Sequence, residues 1–351
     1  MSRSSESYHN ITYRILSVMV AVCLCILPLS ACGVKSIEDE YALSEENKLV
    51  IYTAHKEEIY KPIVKEFEER TGIWVELVAG GTNQMLEQIA FEEGVESADI
   101  MFGGGVDSLS AYESYFQPYV TAQEKNLDLT YASKTDSYTV FSKLPIVFVY
   151  NTKLVLNAGA PRTWSQLLEY RWDNEIAFAD PEKSGSSYTA LSVMVQQLAN
   201  EGFNQDDAVD GFVKSLGGEL SAGSDTVVDD VASGDKMIGI TLEENVLKGK
   251  AKSADIEMIY PISGTCAVPD GCAIVKGARH QKNAEKFMEF IVSDDVQHLL
   301  EEELFRRSVR TDFESSDIPG EIPYDFEYSN AHRDEILSIW ADSMLKVGQG
   351  K

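Results

Sequence analysis

The chain has 351 residues, 44% of them hydrophobic and 25% charged, which is enough to bury two cores of ordinary domain size and excludes a disordered chain. A formal net charge of −27 excludes the nucleic-acid backbone as a partner, since that needs a basic face that releases counterions. It leaves room for an anionic small ligand, because a few oriented backbone N–H groups can make an anion site inside an acidic protein.

The N-terminus reads as an address. Arg3 and Arg14 flank an apolar run, Ile15 to Leu29, that is short for a membrane span and ends in Leu29-Ser30-Ala31-Cys32-Gly33. Small residues directly before a cysteine resemble the lipobox of bacterial lipoproteins. That resemblance implies cleavage before Cys32, a lipid on its sulfur, and an extracytoplasmic protein held at the cell membrane; the alternative is an uncleaved anchor. Residues 1–32 are then a signal peptide and 33–47 a polar tether. Of five cysteines, Cys266 and Cys272 remain for the exported domain, and they form either a disulfide or two free thiols.

Leu49 to Thr53 is an apolar run of the kind that makes a buried parallel strand. Ile59, Ile63 and Phe67 share one face of a following helix, with Gly72 as its stop. Ile73 to Val78 is the next strand, and Gly80-Gly81-Thr82-Asn83 leads into a helix carrying Met85, Leu86, Ile89 and Ala90. Ala98 to Phe102 is a third strand, so strands alternate with helices and a parallel sheet is expected. After a strand at Pro145 to Tyr150 the pattern restarts, with a helix from Trp164 and a strand at Ile176 to Ala179. Later strands are expected at Lys236 to Thr241 and Ala273 to Val275. Ala284, Phe287, Met288 and Ile291 mark an amphipathic helix, and Ile336, Leu337, Trp340 and Met344 a final one. The restart predicts two lobes, 48–140 with 265–305 and 141–264 with 306–351.

HExxH, GxxxxGK[ST], GxSxG and CxxC are all absent from the sequence, so no catalytic residue and no cofactor is expected. Gly103-Gly104-Gly105 follows a strand without the dinucleotide spacing and is either a tight turn or a cleft wall. Three loops sit between a strand end and a helix start, where unpaired N–H groups and the helix dipole favour an anion. They contribute Thr53 and His55, Gly81 and Thr82, and the hydroxyl-rich run Ser184, Ser186, Ser187, Tyr188 and Thr189. Each has a plainer reading: N-caps for the serines, a solvated loop residue for His55. After the strand ending at Thr241, Glu243 and Glu244 either accept hydrogen bonds from a ligand or simply open a helix.

LVIYTAHKEEIYKPIVKEFEERTGIWVELVAGG, ADIMFGGGVDSL, FADPEKSGSSYTAL and YPISGTCAVPDGCAIVKGA together resemble solute-binding proteins of the ferric-iron and organophosphate class of ABC importers, over about residues 48 to 295. The resemblance implies a two-lobed type II periplasmic-binding-protein fold with a hinge and an interlobe cleft, working as a monomer with a permease and an ATPase. Thr241, Glu243 and Thr265 join the candidate ligand contacts on that basis. Ferric binders of this class place two adjacent tyrosines after the strand that here reads MIGIT, where this chain has Leu242-Glu243-Glu244. A small phosphate-bearing organic solute such as a sugar phosphate is therefore the expected cargo. Ferric iron, held by His55 and Glu243, is the alternative.

Overall fold

The computed structural model describes residues 45–92, 98–313 and 317–349. The expected signal peptide, Cys32 and the tether as far as residue 44 lie outside them. Glu45–Asn47 form a single 3-10 turn that enters the first strand.

The chain opens β1 (Lys48–Thr53), α1 (Glu57–Thr71), β2 (Trp74–Ala79), α2 (Thr82–Phe91), β3 (Ile100–Gly105) and α3 (Val106–Ala111). α1 buries Ile59, Ile63 and Phe67, spaced so that one helix face meets the core. It ends because Gly72 takes a left-handed φ of 67°, and its N–H closes on the Glu68 carbonyl at 2.9 Å. β1 pairs in parallel with β2 on one side and β3 on the other.

Short β4 (Phe116–Gln117) precedes β5 (Thr139–Asn151), a strand of 13 residues buried along its whole length. Beyond it come β6 (Ile176–Ala177), α4 (Gly185–Asn200), α5 (Gln205–Leu216), α6 (Val227–Ser233), β7 (Ile238–Leu242), α7 (Glu243–Ala251), β8 (Ile256–Ile259) and β9 (Ala267–Val275). α8 (Gln281–Ile291), α9 (Asp294–Glu302), α10 (Phe326–Ala331) and α11 (Arg333–Gln349) complete the described chain.

The strand order is β2-β1-β3-β9-β5-β7-β6, with β4 on β9 and β8 on β5. The expected parallel sheet is therefore only part of the answer: β9 runs antiparallel to both β3 and β5, and β5 antiparallel to β7 and β8. The reason is that β5 and β9 are crossing strands. The first half of β5, Thr139 to Pro145, pairs with β9, and the second half, Ile146 to Tyr150, pairs with β7.

Each half belongs to a different core. Val140 and Phe141 pack with Ile51, Phe67, Phe102 and Phe287, whereas Ile146 and Phe148 pack with Trp164, Leu191, Phe212 and Trp340. Val309 and Ile318 return to the first of these cores, and Ile336 and Trp340 to the second.

The helix expected from Trp164 is only a 3-10 turn, Ser165–Leu168. Trp164 is pinned by tertiary contacts instead: its ring stands edge-on to Phe148 at 4.9 Å, and its Nε1 donates to the Gly264 carbonyl at 2.8 Å.

The disulfide reading is corrected as well. Cys266 packs in the second core and Cys272 in the first, and both thiols are free. Six steps of extended chain separate them, roughly 20 Å at about 3.3 Å per residue. A disulfide tolerates only about 7 Å between Cα atoms.

Candidate functional site

A cleft of about 900 Å³ is lined by both halves of this unit. One wall comes from the loop after β1, the start of α2 and the turn after β3; the other comes from residues 179–186, 222–225 and the first turns of α7. Two ion pairs join the walls, Lys56 with Asp225 at 2.5 Å and Lys248 with Glu58 at 2.7 Å. The Lys56 and Asp225 side chains are half exposed or more, so solvent leaves that pair little net energy.

His55 is fixed from both sides. Its backbone N–H donates to Thr53 Oγ1 at 3.1 Å, and that hydroxyl donates to the Phe102 carbonyl at 2.8 Å. Its ring stands edge-on to Phe102 at 4.8 Å and to Phe141 at 5.4 Å. Gly103, at φ +94°, is required beside it, because a Cβ there would come within 2.5 Å of His55 Nε2. Burial, aided by the Arg306 charge, holds the imidazole well below its ordinary pKa, so the ring is neutral at physiological pH. Its Nε2 is buried with no partner.

The buried polar floor is built around Arg306, which donates to the Asp270 carboxylate and to Ser142 Oγ at 3.2 Å and lies 3.1 Å from Glu244. Burial alone would lower the guanidinium's pKa, but the Asp270 and Glu244 carboxylates reverse that and raise it. Glu244 also receives Lys248. Two cations, Arg306 and Lys248, thus face three carboxylates, Glu244, Asp270 and Glu58, so this network holds no spare positive charge for an anion.

Charge selectivity therefore lies with the helix starts. α2 begins at Gly81, which offers no side-chain cap, so its first-turn N–H groups are left to solvent or a ligand. α4 begins at Ser184, whose Oγ accepts from the Ser187 N–H at 3.3 Å and the Ser187 hydroxyl at 3.0 Å. Ser186 Oγ lies 3.2 Å from Ser184 Oγ, and Thr189 Oγ1 donates to the Gly185 carbonyl at 3.1 Å. Both helix starts open on the cleft, where their dipoles favour an anion.

Of the residues expected from sequence, His55, Gly81, Thr82, Ser184, Ser186 and Thr189 line the cleft, as do Gly104 and Gly105. The other six candidates are engaged internally. Thr53 serves the Phe102 carbonyl, Ser187 the Ser184 hydroxyl, and Tyr188 donates to the Ser329 carbonyl at 2.6 Å. Thr241 donates to the Ser224 carbonyl at 2.5 Å and Thr265 to the Ile146 carbonyl at 2.6 Å.

Glu243 is held by Arg307 Nε at 2.8 Å and by the Tyr260 hydroxyl; Glu244, one residue on, is the carboxylate that faces the cleft. Among the described residues no three histidine, cysteine, aspartate or glutamate side chains gather closely enough to hold a metal ion. Asp270, Arg306 and Arg333 also line the cleft. Sequence reasoning missed Arg306 and Arg333 because they arrive from distant segments that have no motif, and Asp270 because nothing in its phrase marks it as the partner of Arg306.

The crossing strands, the two cores and the cleft between them make this the two-lobed type II periplasmic-binding-protein fold. Residues 97–323, well over half of the chain, match the bacterial extracellular solute-binding proteins, and the chain belongs to that family. It is 25% identical over 276 residues to a putative 2-aminoethylphosphonate-binding periplasmic protein of Salmonella typhimurium, covering 72% of this chain and 74% of that one.

Among solved structures it is similar to the periplasmic binding protein AfuA of Actinobacillus pleuropneumoniae with fructose-6-phosphate bound, at a TM-score of 0.72 and 24% identity over 85% of this chain and 98% of that one. The ferric binding protein of Campylobacter jejuni is similar at the same TM-score of 0.72, with 21% identity over 84% of this chain and 99% of that one. Family and fold are those of binding proteins for transport rather than of enzymes.

Proposed function

We propose that the protein is the extracytoplasmic solute-binding subunit of an ABC importer, tethered through a lipid on Cys32, and that its cargo is a small phosphate-bearing organic solute such as a sugar phosphate. The observation that carries this reading is the pairing of two helix starts, α2 and α4, on opposite walls of one cleft above a floor of polar donors and acceptors. The helix starts suit a phosphoryl group. The floor, with both donors and acceptors, suits sugar hydroxyls. Relatives described as binding an aminophosphonate or holding fructose-6-phosphate are consistent with a phosphorus-bearing cargo.

The test is thermal unfolding of the soluble form starting after Cys32, stripped of ligand and then supplied with a hexose 6-phosphate or with ferric citrate. Cargo at a hundredfold over its Kd adds about 2.7 kcal/mol and raises the midpoint by several degrees. A shift with the hexose phosphate alone supports the reading. A shift with iron alone overturns it in favour of the ferric alternative.

A further inference from the structure

Beyond residue 323, where the match to the family ends, the chain comes back to the cleft. Arg333, the first residue of α11, lines it, with its guanidinium 4.0 Å from the centroid of the Tyr188 ring on the first turn of α4. Tyr188 is itself immobile: it is 2% exposed and its hydroxyl is bonded to Ser329. A guanidinium resting on a ring face keeps its N–H edge available for a planar, two-point contact with an oxyanion.

The other cations of the cleft are committed differently. Lys56, Lys183, Lys248 and Arg306 each hold a carboxylate, and Lys252 is exposed at the end of α7. Among the described residues no carboxylate pairs with Arg333; Asp107, which acts on the same Tyr188 hydroxyl from the opposite wall, makes no ion pair with it.

We infer that Arg333 is a specificity-determining residue: its guanidinium binds the phosphoryl oxygens of a cargo seated at the start of α4 and makes the cleft select a dianionic phosphate monoester over a monoanion of the same shape. This rests on the phosphate reading above. A helix start supplies about half a positive charge, enough for a monoanion, whereas a phosphate monoester carries about −1.5 to −2 at neutral pH. Arg333 brings a full, fixed charge that closes the gap.

The experiment is calorimetric titration of the ligand-stripped soluble chain with a hexose 6-phosphate and with the corresponding hexose 6-sulfate, which keeps the tetrahedral head but carries one charge. Wild type is expected to prefer the phosphate. Arg333→Ala is expected to lose roughly tenfold to a hundredfold in phosphate affinity and much less for the sulfate, so that the preference collapses, and Arg333→Lys to restore part of it. Unfolding midpoints of the ligand-free variants report on the fold, and a low midpoint for Arg333→Ala moves the comparison to Arg333→Lys. Unchanged phosphate affinity, or equal loss for both esters, overturns the role of Arg333 while leaving the phosphate reading intact. Failure of wild type to bind either ester overturns both.

Discussion

Glu243 and Glu244 are neighbours in sequence with opposite expected consequences when each is replaced by alanine. Glu243 is 3% exposed and takes the Arg307 guanidinium at two nitrogens, each 2.8 Å away, together with the Tyr260 hydroxyl. Burial, then the Glu243 carboxylate, pushes the Tyr260 phenol up to about 12, so the phenol stays a donor throughout the working range. Glu243→Ala removes the acceptor from both groups. Breaking a buried pair from one side costs about 3–5 kcal/mol, and the Arg307 side chain, 18% exposed, recovers part of this through water. The expected loss is about 2–4 kcal/mol, or roughly 5–10 °C in midpoint. Glu244→Ala leaves Arg306 with Asp270 and Lys248 with Glu58, so its main effect falls on cargo affinity. Urea unfolding and calorimetric titration on both variants measure the two effects. If Glu243→Ala kept wild-type stability but lost cargo binding, Glu243 would be a ligand contact and the assignment of Glu244 to the cleft floor would be wrong.

Acid should weaken the fold through His55. The folded state keeps this imidazole neutral, while the unfolded chain takes up its proton below about pH 6.5, so stability is highest above that value and falls by up to about 1.4 kcal/mol per unit below it. His55→Gln should show a flatter loss between about pH 7 and pH 5, and identical slopes for variant and wild type would refute the neutral assignment. Gly103→Ala forces a Cβ against His55 Nε2 at a positive φ and should cost about 1–3 kcal/mol; unfolding at wild-type denaturant concentration would contradict it. Both thiols of the soluble chain should be unreactive when folded and titrate as two free groups in denaturant, since burial raises the pKa of each. A reductant that lowered the unfolding midpoint would instead reveal a disulfide.

Much of the fold was legible because periodicity reports burial. The apolar run at Leu49 to Thr53, the face shared by Ile59, Ile63 and Phe67, and the Gly72 stop all reappear as β1, α1 and its cap. What periodicity cannot report is which sheet a strand serves. β5 is buried from end to end, so nothing in its pattern marks the point near Pro145 where it leaves one set of partners for another. That crossing also puts Cys266 and Cys272 in different cores as free thiols, one of the two readings that sequence spacing left open.

The helix starts at Gly81 and Ser184 were readable, because cap residues and glycines announce them. Within them, the choice between cleft and core was not: Ser186 faces the cleft and Ser187 its own cap, as Glu244 faces the cleft and Glu243 the Arg307 pair. A single residue of helical rotation decides each case, and only the packing of the whole molecule sets it. Arg306 and Arg333 were invisible for a different reason, since each comes from a segment without a motif of its own.

The most direct test of the central claim is calorimetric titration of the ligand-stripped soluble chain with a hexose 6-phosphate, before and after a phosphatase has removed its phosphoryl group. The account predicts one-to-one binding that disappears with the phosphoryl group and is weakened by substitution of Ser186 at the start of α4. Equally tight binding of the dephosphorylated sugar, or heat released only with ferric citrate, would contradict it.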